Sequence, residues 1–172
     1  SHRVMGLSGA LDGSRMEAFI AMELGVSIKD VRAMVIGGHA NEMVPLKEYS
    51  TVRGIPITKL MSAEKIDAID KRTRTAGGEI VALLKTGSAY YAPSRAAAEM
   101  AEAVLLDQKR IIPSAVYCDG KYGIDGIFIG LPAVLGAGGV EDIIELELSE
   151  GEKADLNASV SAIKALIDDL EL

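Results

Sequence analysis

Along residues 7–24 the apolar side chains Leu7, Leu11, Phe19, Ile20 and Leu24 return at helical spacing, and Gly25 follows as a stop, so this stretch predicts an amphipathic helix. Residues 30–36 then read as a strand ending at Gly37-Gly38, followed by short extended pieces at 43–46 and 49–52 and a turn at 53–56. Ser62-Ala63-Glu64-Lys65 starts a helical pattern that runs toward Leu84. The paired Gly77-Gly78 is expected to bend or divide it, because glycine weakens a helix interior. Tyr90-Tyr91-Ala92-Pro93 opens another helix, through Ala96, Met100 and Val104 to about Asp107. Strands are predicted at 110–118, 126–129, 131–135 and 140–148, with Gly136-Ala137-Gly138-Gly139 joining the last two as a hairpin. From Ser149 onward an amphipathic terminal helix sets Leu156, Val160, Ile163 and Ile167 on one stripe. Long helices mixed with antiparallel hairpins, without regular strand–helix alternation, give an α+β layout. With no internal repeat or linker, residues 1–172 are expected to form a single domain.

Composition narrows the picture. The chain has 172 residues, enough to bury a substantial core; 49 % are hydrophobic but only 4 % aromatic, so Ile, Leu, Val, Met and Ala must fill the interior. A net charge of −7 argues against a nucleic-acid partner, since phosphate binding needs clustered Lys and Arg. The densest basic patch, Lys71-Arg72-Thr73-Arg74, is expected to be a solvated helix face. Cys118 is the only cysteine and is read as a buried, inert thiol, which suits a reducing, cytoplasmic compartment. His2 and His39 are too few for a His/Cys metal cluster, so no metal is expected. No run approaches the ~20 apolar residues of a membrane span, and no membrane association is expected. The start at Ser1-His2, without Met, leads to the expectation of a processed or truncated piece of a longer protein.

Three side chains could cooperate chemically. Asp12 and Arg15 stand three apart in a helical stretch and share a face, and His39 follows a strand end and two glycines. An imidazole suits proton transfer near neutral pH, and a carboxylate behind it fixes its tautomer and stabilises the imidazolium. A guanidinium offers a substrate carboxylate two parallel hydrogen bonds. That set suits oxidation of a 2-hydroxy acid. Taken alone, an Asp–Arg pair at this spacing is most often a surface ion pair, and a histidine after Gly-Gly is usually a turn residue.

The wider motifs add to this. Leu11-Asp12-Gly13-Ser14-Arg15 resembles a Leu-Asp-x-x-Arg helix. Gly37-Gly38-His39-Ala40-Asn41-Glu42-Met43-Val44-Pro45 resembles a Gly-Gly-His-Gly-Asp-x-Met-Val-Pro loop. Gly77-Gly78-Glu79-Ile80-Val81, Lys85-Thr86-Gly87-Ser88-Ala89-Tyr90-Tyr91-Ala92-Pro93 and Ile112-Pro113-Ser114-Ala115-Val116-Tyr117 continue the pattern. Together they resemble the C-terminal, substrate-binding half of the lactate/malate dehydrogenase family, malate branch, over nearly the whole chain.

The resemblance implies that fold, with helices packed on antiparallel hairpins. It implies NAD as cofactor, malate and oxaloacetate as the substrate pair, and a homo-oligomer. By the same resemblance His39 would exchange the hydroxyl proton and Asp12 would be its carboxylate partner. Arg15 would clamp the substrate carboxylate, Ser88 would lie near substrate and nicotinamide, and Ala92 would be on the nicotinamide side. Ser88 also reads as a possible helix N-cap.

Two departures stand out. Ala40-Asn41 replaces Gly-Asp after the histidine, at a cost on the order of 1 kcal/mol if that position takes positive φ. Glu17 stands where a basic residue is common. No Gly-x-Gly-x-x-Gly follows a strand, so no Rossmann domain is expected in this chain, and Gly136-Ala137-Gly138-Gly139 leads into a strand rather than a helix. The resemblance implies a dinucleotide-binding half of roughly 140 residues upstream, without which this piece is expected to be inactive. The alternative expectation is a non-catalytic interaction or assembly module derived from the same domain.

Overall fold

The computed structural model describes residues 2–170. Helix α1 (Ser8–Leu24) buries Leu11, Met16 and Ile20 together with Asp12 and Arg15, and Gly25 ends it in the left-handed conformation that glycine adopts without steric cost. The strand expected at 30–36 is two. β1 (Val31–Arg32) and β2 (Val35–Gly37) are separated where the Ala33 and Met34 amides leave the ladder and donate to Glu17 and Ser50. This break lets one stretch of chain serve two sheets. β1 joins β4 (Thr51–Val52) and β5 (Ile55–Pro56) in a three-stranded sheet, while β2 forms a hairpin with β3 (Met43–Pro45). The stretch expected to be only a turn, 53–56, is a tight turn at Arg53-Gly54 followed by β5.

Helix α2 (Ala63–Leu84) passes through Gly77-Gly78 undivided. Its buried face, Ile66, Ile69, Thr73 and Ala76, packs toward α1 and outweighs the local weakness of the glycines. Helix α3 (Tyr91–Leu105) buries Ala96, Met100 and Ala103. β6 (Arg110–Asp119) and β7 (Asp125–Gly136) pair along their length, and β8 (Gly139–Ile143) pairs with the far end of β7. β7 is one 12-residue strand, not two, because Gly130 continues the ladder at the point where β2 crosses it. The larger sheet runs β3-β2-β7-β6, with β8 also on β7. β8 stops at Ile143, short of the predicted 148.

The capping box Ser149/Glu152 starts helix α4 (Glu150–Asp168). Leu156 is buried and Val160 and Ile163 pack on the core, but Ile167 is exposed, so the predicted stripe ends one turn early. One core lies between the larger sheet and α3 and α4, around Ile36, Val44, Met100, Val116, Ile129 and Leu156. The other gathers Met16, Ile20, Val35, Met43, Ile66 and Ile69 between α1, α2 and the small sheet. Among the described residues no helix is long and apolar enough to cross a membrane.

Candidate active site

α1 contributes Asp12 and Arg15 from its buried face. The Asp12 side chain is 0 % exposed and that of Arg15 8 %, so both charges are taken out of water. The expectation of a surface ion pair is therefore replaced by a buried one. Their contact is loose: Arg15 Nη1 lies 3.8 Å from Asp12 Oδ1. Asp12 Oδ1 and Arg15 Nε are buried without a hydrogen-bond partner. Buried polar atoms are normally satisfied, and leaving them bare is costly. The guanidinium lies against α2 at Gly77, where an added Cβ would stand 3.5 Å from Nη1. Gly77 is thus a wall of the site rather than a helix break.

His39 arrives from β2. Gly37 takes φ of 81°, and a Cβ there would come within 2.8 Å of the Glu42 carbonyl, so the turn after β2 requires glycine. The imidazole swings back over α1, and its Nδ1 is 2.9 Å from Asp12 Oδ2. A carboxylate in that position accepts the Nδ1 proton and leaves Nε2 as the basic nitrogen. The ring is 55 % exposed, and among the described residues nothing holds Nε2. Burial pushes the Asp12 carboxyl above the ordinary aspartate range, opposed by its hydrogen bond to His39 and the charges of His39 and Arg15.

The remaining predicted residues are not bonded to this group. Ser88 is exposed in the connection between α2 and α3, and its carbonyl accepts the Tyr90 amide. It makes no side-chain cap, because the N-cap of α3 is Tyr90, where no side chain caps the helix. Ala92 is half-buried in the first turn of α3. No hydrogen bond joins either residue to Asp12, Arg15 or His39 among the described residues. Glu17 does not face His39. It accepts the Ala33 amide and lines a separate cleft with Arg32, Arg95, Glu99 and Arg110, where burial raises its carboxyl. Among the described residues no cluster of three His, Cys, Asp or Glu side chains could hold a metal.

Two contributors escaped the reading of the sequence. Arg74 is half-buried and does not simply face water: its Nη1 donates to the carbonyls of Asn41 at 2.6 Å and Ala40 at 3.4 Å. Its neighbour Arg72 does lie outside, stacked over Phe19 and paired with Glu79. Ser159 of α4 is buried and accepts the Gly38 amide at 2.8 Å. The signal for Arg74 was its place beside buried Thr73, at the edge of the face that α2 buries. Nothing local marks Ser159, since its partner is 121 residues away. Ala40 takes φ of 58°, the left-handed conformation expected to cost a residue with a Cβ.

A buried carboxylate behind an exposed imidazole, with a cation beside them, can exchange a proton at the imidazole and attract an anion to the guanidinium. Residues 9–171 match the family described as lactate/malate dehydrogenase, alpha/beta C-terminal domain, and the chain belongs to that family. It is 53 % identical over 170 residues to the malate dehydrogenase of Roseiflexus castenholzii, covering 99 % of this chain and 55 % of that one. The solved malate dehydrogenase of Salinibacter ruber superposes with a TM-score of 0.96 at 54 % identity, over 99 % of this chain and 55 % of that one. A Cryptosporidium parvum lactate dehydrogenase, solved with lactic acid and nicotinamide adenine dinucleotide, reaches 0.94 at 42 % identity, over 99 % and 55 %. The chain therefore spans about half the length of the relatives it matches. Enzymes named for malate and for lactate both share the fold closely.

Proposed function

We propose that this chain is the substrate-binding, catalytic portion of an NAD-dependent malate dehydrogenase, which interconverts malate and oxaloacetate. The observation that carries the reading is the buried Asp12 carboxylate 2.9 Å from His39 Nδ1, with the buried Arg15 beside it. In malate oxidation His39 Nε2 takes the hydroxyl proton as the hydride leaves the same carbon. Asp12 keeps the ring in the tautomer that can accept it and stabilises the imidazolium that results. Arg15 receives the substrate carboxylate, and its unpartnered Nε supports that role, since a buried donor gains most from an anion. In oxaloacetate reduction His39 returns the proton.

NAD, when bound, accepts the hydride. Among the described residues no glycine-rich strand-to-helix turn offers its pyrophosphate a seat. This chain offers the nicotinamide end only: the outward face of His39, with Ser88 and Ala92 as candidate neighbours. The connection that holds Ser88 runs into Tyr90 and Tyr91, and with Val81 and Leu83 it leaves an exposed apolar stretch. We infer that the cofactor-binding portion of the longer enzyme covers this stretch. Residues 1–172 are read as one domain, because α1 packs on both cores. A homo-oligomer is supported by the exposed Met22, Val26, Ile28 and Ile55 around the end of α1 and the small sheet. A reducing, cytoplasmic setting is supported by the free, buried Cys118, whose thiol burial pushes up. The second reading, a non-catalytic assembly module, draws on the strained Ala40 but offers no reason for two buried, incompletely paired charges.

The test joins this chain to the N-terminal portion of a relative such as the Salinibacter ruber enzyme and follows NADH oxidation by oxaloacetate. Turnover is expected in the joined protein and none in the 172-residue chain alone. His39→Asn should lower kcat of the joined protein by roughly 10²–10⁴-fold. A joined protein that binds NADH but remains inactive would favour the module.

A further inference from the structure

We propose that Ser159 and Arg74 are positioning residues for His39: a hydroxyl from α4 and a guanidinium from α2 together hold residues 37–42 so that the imidazole meets Asp12. The inference rests on the dehydrogenase reading for its catalytic meaning, while the geometry stands without it. Neither side chain is hydrogen-bonded to the imidazole. Each grips the backbone on either side of His39. Ser159 Oγ accepts the Gly38 amide at 2.8 Å before it, and Arg74 Nη1 donates to Asn41 O at 2.6 Å and to Ala40 O at 3.4 Å after it. Ser8 of α1 adds a donor to the Gly37 carbonyl at 3.1 Å.

Two features show that the segment needs such ties. Ala40 sits at φ of 58°, which a residue with a Cβ keeps only when its surroundings over-determine it. The segment also backs onto a cleft of about 360 Å³, lined by Asn41, Glu42, Arg74, Asp155 and Ser159 among others, so close packing does not pin it from behind. Across the histidine the turn itself provides two backbone bonds, the Gly38 amide to the Glu42 carbonyl at 3.0 Å and a weak one from the Glu42 amide to the His39 carbonyl at 3.4 Å, so the Gly38 amide is shared between Glu42 and Ser159. A shift on the order of 1 Å would take Nδ1 out of hydrogen-bond range of Asp12. Two helices remote in sequence therefore add to the turn's own bonds the ties that keep the base oriented.

The test follows the full 172-residue chain, labelled with nitrogen-15, by NMR, with His2→Gln to assign the imidazole signals. The readouts are water exchange of the His39 Nδ1 proton and of the Gly38 amide. Ser159→Ala and Arg74→Gln should each speed exchange of the Nδ1 proton by about fivefold or more, the factor that one net hydrogen bond carries, and that of the Gly38 amide by less, because it keeps its bond to the Glu42 carbonyl. Arg74→Lys, which keeps a cationic donor, should restore most of the protection. Ser114→Ala removes a buried hydroxyl elsewhere and should leave both rates unchanged. Parental rates in both Ser159→Ala and Arg74→Gln, or equal acceleration in Ser114→Ala, would overturn the proposal. Because no turnover is involved, an inactive joined enzyme would count against the dehydrogenase reading and leave this result to be judged separately.

Discussion

The region around Asp12 and Arg15 and the connection around Ser88 make an instructive pair, because the resemblance assigns both to one reaction and they are built in opposite ways. Asp12 and Arg15 grow from a helix whose other residues are core, so their positions are fixed by Met16 and Ile20 as much as by their own contacts. Ser88 sits in a run, 81–88, that is exposed throughout, and its hydroxyl has no partner among the described residues. The first region is set by this chain alone. The second has few contacts of its own, and on the proposed reading its cover comes from the cofactor-binding portion.

The largest way to break the contrast is through the core that carries α1. Met16→Ala should cost about 2–5 kcal/mol in urea unfolding, as expected for a fully buried methionine. It should also loosen Asp12 and Arg15, which a weakened His39–Asp12 contact would report. A cost under 1 kcal/mol would mean that α1 is not anchored as described.

A pH series sharpens it next. The folded-state carboxyl of Asp12 is raised above its ordinary value of 3.8, so the folded chain holds that proton more tightly than the unfolded one. Its contribution to stability is full below the ordinary value and is lost as pH rises through the folded value. Asp12→Asn carries no such proton. The urea midpoint of the variant should therefore gain on that of the parent as pH is raised from about 4 toward neutrality. A gap that stays constant would contradict the burial described for Asp12.

Smaller again is Ala40→Gly, which relieves a left-handed alanine and should stabilise the chain by about 1 kcal/mol in the same assay. Smallest is Ser88→Ala, expected to change stability by less than about 0.5 kcal/mol. The same substitution in the joined, cofactor-binding protein is where any role of Ser88 would become visible, as a change in KM for oxaloacetate.

What was legible in the sequence follows the range of the interactions. α1, the Gly-Gly-His turn and the capped start of α4 depend on neighbours a few residues apart, and their patterns announced them. Gly77-Gly78 misled because the local weakness of paired glycines is real, but the buried face of Ile66, Ile69, Thr73 and Ala76 overrides it. The break between β1 and β2 was hidden because the partners that draw the Ala33 and Met34 amides away, Glu17 and Ser50, lie 16 residues distant in either direction. Arg74 looked like solvent-facing charge because composition does not say which way a helix edge points. Ser159 was beyond reach, as a serine in a helix is ordinary until its partner is known. The pairing of Asp12 with His39, 27 residues apart, rested on resemblance alone until the distance between them was known.

The hydrogen bond between Gly38 and Ser159 also orders events during synthesis. The histidine turn leaves the ribosome soon after the helix that holds its carboxylate, but the hydroxyl that grips it is made more than a hundred residues later. A nascent chain halted before Ser159 would carry every reacting side chain of this half and still lack the final seat for its base.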